Sequence, residues 1–244
     1  MDDFTIQIAG LNARVQPLFS STREYCRSYL SNMETDVYIE VTKQDLAATQ
    51  AALEREAIED GIRVRKFPEP FLERATIQRK IAEELLNRDT ILFHGSTVGL
   101  DGAAYLFTAP CGTGKSTHTR FWREVFGHRA VMVNDDKPFL QITSTDVIAH
   151  GSPWSGKHGL DSNISLPLKG ICLLRRGTDN RIQRMISENC INELYHQCYL
   201  PDDLNGQERV LELVNALAQI VPLWEMECTK DSSAALVSYS AMSR

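Results

Sequence analysis

Residues 107–117 of this 244-residue chain read FTAPCGTGKST, an apolar run that enters a glycine-containing turn and then a lysine with two hydroxyl residues. The ending Gly-Lys-Ser-Thr matches the phosphate-contacting half of the pattern G-x-x-x-x-G-K-[ST]. Ala109 stands where that pattern has its first glycine, and this replacement costs little if the residue ends a strand with negative φ. We refer to residues 109–117 as the glycine loop.

The composition of the glycine loop suits the phosphates of a nucleotide. A loop that runs from a strand into a helix exposes successive backbone N–H groups and the positive helix end to an anion. Gly112 and Gly114 allow close backbone approach. Lys115 supplies a positive charge for the β- and γ-phosphates, and the Ser116 hydroxyl is suited to Mg²⁺. The loop residues predicted to bind nucleotide are Cys111, Gly112, Thr113, Gly114, Lys115, Ser116 and Thr117. The alternative, a chance Gly-Lys-Ser-Thr at a helix start, is disfavoured by the apolar strand before it and the amphipathic helix after it.

Two adjacent carboxylates, Asp135 and Asp136, end the apolar run RAVMVNDD, twenty positions after Lys115. Neighbouring residues of a strand point to opposite faces, so both side chains reach one ligand only if the strand ends there. We expect one carboxylate to hold Mg²⁺, directly or through water, while the other faces the acceptor of a phosphoryl group. The alternative is a polar turn before Lys137-Pro138, and the glycine loop upstream favours the functional interpretation.

A single histidine, His94, ends the run ILFH directly before Gly95. A histidine at a strand end is more often structural than catalytic. His94 is nevertheless a candidate site residue, because its strand is expected to lie beside the strand that enters the glycine loop.

Hydrophobic periodicity predicts a mixed α/β chain with a largely antiparallel sheet and a small N-terminal α+β region, residues 1–70. In that region FTIQIAG and DVYIEVT predict strands, and KQDLAATQAALEREAIEDG predicts a helix that stops at Gly61. A nucleotide-binding domain, residues 71–244, is expected to follow. It begins with a helix over residues 71–87 and a strand, TILFHGSTV.

Hairpins are predicted on both sides of the glycine loop. The turn 100–102 contains Asp-Gly and joins TILFHGSTV to AAYLFTA, whereas the turn 143–146 joins PFLQI to VIAHG. Between them, KSTHTRFWREVF predicts a helix closed by Gly127. Further along the chain, LKGICLL and VPLWEMEC predict strands, and residues 187–219 are expected to be mainly helical.

Composition excludes several classes of protein. The chain has 26 Lys and Arg against 32 Asp and Glu, a formal net charge of −6, which gives no basic footprint for nucleic acid. No apolar run approaches the roughly 20 residues that cross a bilayer, and the N-terminus lacks the pattern of a signal peptide. Six cysteines without a C-x-x-C pair predict neither a metal site nor a disulfide framework, and Cys172 is expected in the core.

The order His-Gly, hairpin, G-x-G-K-S loop and apolar strand ending Asp-Asp resembles the kinase domain of HPr kinase/phosphorylase over residues 90–175. That family shares its phosphate-loop fold with the ATP-dependent phosphoenolpyruvate carboxykinases. The chain also resembles small bacterial relatives of the kinase, including serine kinases that modify peptides.

The resemblance implies roles for individual residues. Lys115 and Ser116 would bind phosphate and Mg²⁺, and His94 would assist near the acceptor. Asp135 and Asp136 would serve as general base and metal ligand. Asp136 is assigned with Ser116 to the metal, although the resemblance leaves open which carboxylate is the base.

One segment departs from the family. The later signature loop associated with the phosphorylase reaction has no match, and residues 151–163, GSPWSGKHGLDSN, stand in its place. Its glycines, Lys157 and His158 predict a clamp for nucleotide or acceptor, and Lys157 is added to the nucleotide-binding residues. The alternative is a structural loop around a buried Trp154. HPr as substrate and carboxykinase activity are both disfavoured by these departures.

Taken together, the sequence predicts a cytoplasmic ATP- and Mg²⁺-dependent kinase that transfers the γ-phosphoryl group to a hydroxyl of a peptide or protein serine or of a small molecule. Its partners would be nucleotide and this unidentified acceptor, with no nucleic acid or membrane, and a homo-oligomer is left open. One alternative is a nucleotide-binding regulatory or assembly protein with little turnover, which would not need an acceptor-facing acid. Another, a P-loop kinase with a parallel sheet, is disfavoured by the hairpins.

Overall fold

The computed structural model describes residues 2–59, 61–110, 112–186 and 190–244. Its contacts divide the chain into two units, Met1–Glu84 and Leu85–Arg244. The domain boundary expected between residues 70 and 71 stays a prediction. Among the described residues, no helix combines the length and the apolar character needed to span a membrane.

The first unit contains a small sheet and helices. Its elements are β1 (Phe4–Ile8), β2 (Leu11–Gln16), α1 (Ser21–Tyr25), β3 (Val37–Glu40), α2 (Lys43–Glu59) and α3 (Glu69–Leu86), of which α3 ends just inside the second unit. β1 and β2 are antiparallel, and β2 and β3 are parallel. Ala9 and Gly10 join β1 to β2 with φ of 47° and 80°, the conformation of a two-residue hairpin turn. β2 was missed by the sequence prediction, although LNARVQ alternates apolar and polar residues as a half-buried strand does.

A buried carboxylate organises the segment that follows β2. Glu73 on α3 is fully buried and accepts hydrogen bonds from the backbone N–H of Leu18 and from the hydroxyl of Thr22. Phe19 donates its N–H to the same carboxylate at 3.3 Å. Because a buried carboxylate needs hydrogen-bond donors, these contacts fix residues 18–22 against α3.

The second unit is built on a mixed sheet. Its strands are β4 (Thr90–Leu92), β5 (Ser96–Leu100), β6 (Ala103–Thr108), β7 (Ala130–Asn134), β8 (Phe139–Ile142), β9 (Val147–His150), β10 (Ser165–Arg176), β11 (Arg181–Arg184) and β12 (Leu223–Cys228). Its helices are α4 (Lys115–Phe126), α5 (Ile191–Tyr195), α6 (Leu204–Ile220) and α7 (Ser233–Met242). The order among the described strands is β4-β8-β9-β10-β6-β5-β7, and β12 pairs with β10 and β11. Only β10–β6 and β10–β12 are parallel in this part of the chain, which confirms the expected mixed, largely antiparallel class.

Several predicted elements agree with the structure and a few do not. Both hairpins are present, and α4 has the predicted bounds, with Gly127 as its C-terminal cap. The single strand expected over TILFHGSTV is wrong, because the chain changes partners at His94–Gly95 and forms β4 and β5. A Cβ at Gly95 would lie 2.9 Å from Leu106 Cδ2 and 3.2 Å from Phe107 O, so a larger residue at this switch would have to displace its neighbours. β11 and α7 had not been predicted, and residues 187–189 of the expected helical region lie outside the described residues.

Alternating side chains of the central strands fill the two faces of the sheet. On β10, Ile171 and Leu173 join the cluster beneath α6, whereas Cys172 and Leu174 join the cluster beneath α4 and α7. Each buried side chain of this size contributes about 1.5–3 kcal/mol through removal from water. The sheet therefore has a core on both faces, and Cys172 lies in it as predicted.

A buried polar contact joins α4 to α7 within the second core. His118 is 3% exposed and its Nε2 lies 3.0 Å from Ser238 Oγ, while Trp122 Nε1 donates to the same oxygen at 2.9 Å. Burial lowers the pKa of His118 from 6.5 to about 3. The imidazole is therefore neutral in the folded protein throughout the physiological range.

We expect acid to destabilise the protein through His118. Its imidazole takes up a proton near pH 6.5 in the unfolded chain but only near pH 3 in the folded chain, so stability falls as pH falls through this window. The limiting slope for one such group is about 1.4 kcal/mol per pH unit. His118→Gln retains a hydrogen-bonding group without titrating, and should reduce the pH dependence of the urea unfolding free energy between about pH 7 and pH 5. Equal slopes for the two proteins would contradict this assignment.

Candidate functional site

The glycine loop leaves β6 and enters α4 through two glycines with positive φ. Gly112 has φ 75° and Gly114 has φ 126°, and a Cβ at either position would meet no atom within 4 Å. The backbone conformation, rather than crowding, therefore requires glycine. Gly114 caps α4 and has no side chain to accept from the first helical N–H groups, which suits an external anion.

The remaining predicted loop residues line the same turn. Thr113 donates its N–H to Pro110 O at 3.2 Å, and Ser116 and Thr117 lie half-buried in the first turn of α4. Cys111, also predicted to bind nucleotide, lies outside the described residues. The structure thus brings Thr113, Ser116 and Thr117 to the loop around the helix N-terminus.

Two cations contact the backbone of the glycine loop. Lys115, the first residue of α4, folds back so that its Nζ donates to Ala109 O at 3.0 Å. Arg176, at the end of β10, donates to Gly112 O at 2.6 Å. The positive charge of the site therefore lies at the loop itself, where phosphates would interact with it.

His94 occupies the point where the chain passes from β4 to β5. Its N–H donates to Gln197 O at 2.7 Å, and the hydroxyl of Thr108, the last residue of β6, donates to its carbonyl at 3.0 Å. Gly95 donates its N–H to Asp136 O at 3.0 Å. These backbone contacts hold His94 beside the strand that enters the glycine loop and next to the predicted carboxylates.

His94 and Asp136 form a pair, with Nε2 and Oδ1 3.3 Å apart. Burial lowers the pKa of His94, the Asp136 contact opposes this, and the charges of Lys137 and Lys115 lower it further. Burial raises the pKa of Asp136, but the His94 hydrogen bond and the charges of Lys137 and Lys115 outweigh it and leave a lowered pKa. At neutral pH a neutral imidazole therefore donates a hydrogen bond to an ionised carboxylate, within the electrostatic reach of Lys115.

Asp135 faces a different set of partners. It is 5% exposed, and its Oδ1 accepts from the Ser96 hydroxyl at 2.6 Å. Ser96 Oγ lies 2.8 Å from Thr119 Oγ1, which is one turn along α4 from Ser116. The two carboxylates are therefore separated: Asp135 is linked to the helix of the glycine loop, and Asp136 to His94.

Asn134, which the sequence analysis did not identify, sets the conformation of this carboxylate turn. Its side-chain Oδ1 accepts from the N–H of Asp136 at 2.8 Å and of Lys137 at 2.5 Å. Its Nδ2 donates to Ser152 O at 2.8 Å. An asparagine directly after an apolar strand and before Asp-Asp is a signal for such a side-chain-stabilised turn. Ser96, the other partner missed, has no comparable signal because its contact spans 39 residues.

The segment 151–163 lies along β7, the last strand in the order of the described sheet. Asp135 donates its N–H to Leu160 O at 3.0 Å, and Ser162 donates to Val133 O at 3.2 Å. A Cβ on Gly156 would lie 3.2 Å from Asp136 Cβ. The structure therefore brings this segment to the backbone of Asp135 and to the side chain of Asp136, and its participation in catalysis stays a prediction.

Side chains of the 151–163 segment differ in their exposure. Trp154 is 6% exposed and packs edge-on to Phe139, with ring centroids 6.4 Å apart. Lys157 and His158 are exposed on a single 3₁₀ turn. Trp154 is thus part of the core, whereas the two basic side chains remain accessible to a ligand.

The side-chain oxygens near the glycine loop include possible ligands for Mg²⁺. Across the part of the chain that the structure describes, no three His, Cys, Asp or Glu side chains are grouped to hold a metal ion. Magnesium typically binds through one or two carboxylates together with phosphate oxygens and water. A Ser116 hydroxyl and one carboxylate therefore fit Mg²⁺ that arrives with a nucleotide, rather than a resident all-protein site.

Comparisons with known proteins yield only distant similarities among solved structures. No protein-family model and no curated protein matches the chain. The solved structure of the Hpr(Ser) kinase/phosphatase from Coxiella burnetii matches 61% of this chain and 86% of that chain, with 11% sequence identity and a TM-score of 0.38. This is a weak likeness at the level of the fold.

Gly156→Ala is expected to disturb the His94–Asp136 pair. Gly156 has φ +71°, and the added Cβ would press on Asp136. Because Asp136 raises the pKa of His94, a displaced carboxylate should lower that pKa further, as measured by NMR titration of the His94 ring. Gly159→Ala is the matched control, since Gly159 has φ +59° with nothing within 4 Å of its Cβ position. Identical His94 titrations in both variants would contradict contact between this segment and the pair.

Proposed function

We propose that this chain is an ATP- and Mg²⁺-dependent kinase that transfers the γ-phosphoryl group to a hydroxyl of a peptide or protein serine or of a small molecule. The observation that carries the proposal is the convergence of Lys115 with the His94–Asp136 pair. Phosphoryl transfer needs a cation that holds the phosphates and a carboxylate that orients the acceptor. Lys115 at a helix N-terminus and the ionised Asp136 would fill these two roles. The mixed sheet alone is not evidence for any particular function.

The glycine loop supplies the phosphate half of the reaction. Its N–H groups at the start of α4 and the Lys115 ammonium would hold the β- and γ-phosphates. Lys115 now donates to a backbone carbonyl, Ala109 O. It could exchange that neutral acceptor for a phosphate oxygen, a stronger charge-assisted bond.

The His94–Asp136 pair supports the acceptor half. The side chain of Asp136 is 35% exposed and can meet a substrate from solvent, and His94 orients it through the Nε2 contact. As the acceptor oxygen forms its bond to the γ-phosphorus, its proton passes to Asp136, and the bond to the β-phosphate oxygen breaks to release ADP. A positioned carboxylate of this kind contributes about 10²–10⁴ in rate.

The buried carboxylate of Asp135 supports a metal site in the proposed reaction. Ser96 and Thr119 hydroxyls connect Asp135 to the first turns of α4, where Ser116 lies. We therefore propose Asp135 with Ser116 for Mg²⁺ and Asp136 for the acceptor, in place of the sequence-based assignment of Asp136 to the metal. When bound, Mg²⁺ neutralises charge on the β- and γ-phosphates.

A nucleotide-binding protein with little turnover is the second candidate. Incubation of the full chain with γ-labelled ATP, Mg²⁺ and a lysate of the source cells distinguishes the two. We expect label in a protein, peptide or small-molecule fraction, and ATP binding without label transfer would favour the regulatory function.

Lys115→Ala should abolish nucleotide use while the protein stays folded. The change removes a charge at the helix start and little packing, so kcat/KM should fall at least about 100-fold, as for loss of a preorganised transition-state donor. Calorimetric titration with Mg-ATP should show weak or absent binding. Lys230→Ala removes an exposed lysine elsewhere and is the control. Unchanged turnover in Lys115→Ala would refute the phosphate assignment.

Asp135→Asn and Asp136→Asn should give two distinct phenotypes. Loss of the metal-side carboxylate, Asp135, should be partly rescued by raised Mg²⁺ or by Mn²⁺. Loss of Asp136 should lower kcat by about 10²–10⁴ while Mg-ATP binding is largely kept. If Mg²⁺ or Mn²⁺ rescued Asp136→Asn and not Asp135→Asn, the two roles would be reversed. Wild-type rates in both variants would show that the two aspartates form only a structural turn.

A further inference from the structure

A cavity of about 270 Å³ opens beside the glycine loop at the carboxyl ends of β6 and β10. The wall residues that matter most are Ala109, Pro110, Leu173, Leu174, Asn192 and Gln197. The cavity lies below the roughly 300–1,000 Å³ of pockets that hold a whole drug-sized ligand. It can therefore accommodate one ring system of a ligand that continues outside it.

The cavity favours an uncharged occupant. Arg175 lines the cavity and carries a positive charge. Its guanidinium donates to both carboxylate oxygens of Glu193, at 2.9 and 3.1 Å, and to Glu225 at 3.0 Å. Two carboxylates thus offset one guanidinium, so an additional anion gains little there. Leucine, alanine and proline make up half of the other lining residues, and such side chains bury flat apolar rings.

Polar groups in the cavity suit the edge of a heterocycle. The side-chain amide of Gln197 lies 3.1 Å from Thr108 Oγ1, whose hydroxyl also lies 3.0 Å from His94 O. Asn192 brings a second amide from α5. Amide groups offer both donors and acceptors, the combination that a nucleobase edge requires.

The position of the cavity agrees with the direction expected for a nucleotide. The strand order β10-β6-β5-β7 places the cavity on the β10 side of β6, and Asp135 and Asp136 follow β7. The glycine loop leaves β6, between these two flanks. Three strand spacings separate β10 from β7, about 14 Å, so an extended nucleotide can lay its phosphates on the loop with its γ end toward Asp136 and its base toward β10.

We propose that this cavity binds the purine base of the nucleotide whose phosphates lie on the glycine loop. The inference rests on the proposed function, because it takes the loop as the phosphate site. Pro110 and Leu173 contact the ring faces, and the Asn192 and Gln197 amides bind its edge.

Calorimetric titration of the unmodified protein tests the proposal with ATP and inorganic tripolyphosphate, each with Mg²⁺. We expect ATP to bind at least about tenfold more tightly than tripolyphosphate. Equal affinities would overturn the base pocket while leaving the phosphate site intact. If neither ligand binds, the proposed function fails first.

Two variants locate the base. Asn192→Trp and His196→Trp place a large side chain at exposed positions of the cavity lining, and each should weaken ATP binding about tenfold with tripolyphosphate binding unchanged. Asn205→Trp is the matched control, at an exposed position on α6. Unaltered ATP affinity in both cavity variants would place the base elsewhere. A raised KM for the acceptor with unaltered ATP affinity would assign the cavity to the acceptor and likewise overturn the proposal.

Discussion

The buried side-chain amide of Asn134 is the constraint on which the site depends. Both ends of the amide are used, because the carbonyl oxygen accepts from the N–H groups of Asp136 and Lys137 and the NH₂ group donates to Ser152 O in the 151–163 segment. A buried amide that lost either set of contacts would cost about 1–3 kcal/mol. Asn134 therefore couples the direction of the carboxylates to the position of the 151–163 segment. A shift in one of them would displace the other.

A second constraint is the change of partners at His94–Gly95. β4 pairs with β8, whereas β5 pairs with β6 and β7, so the chain crosses between two parts of one sheet in three residues. Polar side chains concentrate where strands end, since the backbone there no longer has ladder partners. The switch accordingly brings an imidazole to the point where β6 ends in the glycine loop and β7 ends in Asp135 and Asp136. The site follows from sheet topology before any side-chain chemistry is considered.

The sequence predicted the parts of this arrangement that depend on local signals. The hairpin turn at Asp101–Gly102 and the helix beginning at Lys115 have bounds fixed by glycine conformation and apolar periodicity. The strand break at His94 could not be predicted, because β-branched residues that favour strands stand on both sides of it and only long-range pairing divides the run. The Ser96–Asp135 hydrogen bond could not be predicted for the same reason, because no local sequence pattern links a serine in a strand to a partner 39 positions away. Local chemistry thus reveals which residues are candidates, and topology decides which of them meet.

The charges around the glycine loop explain why a metal ion belongs to the proposed reaction. Lys115, Lys137 and Arg176 provide three formal positive charges near the loop and the carboxylate turn, and Asp135 and Asp136 oppose them with two negative charges. His94 adds no charge at neutral pH because burial lowers its pKa. A triphosphate adds several further negative charges, which this small excess of protein cations cannot neutralise. Because carboxylates repel phosphate, the proposed reaction would need a further cation: Mg²⁺ carried by the nucleotide would be held by the buried Asp135 and would leave Asp136 for the acceptor proton.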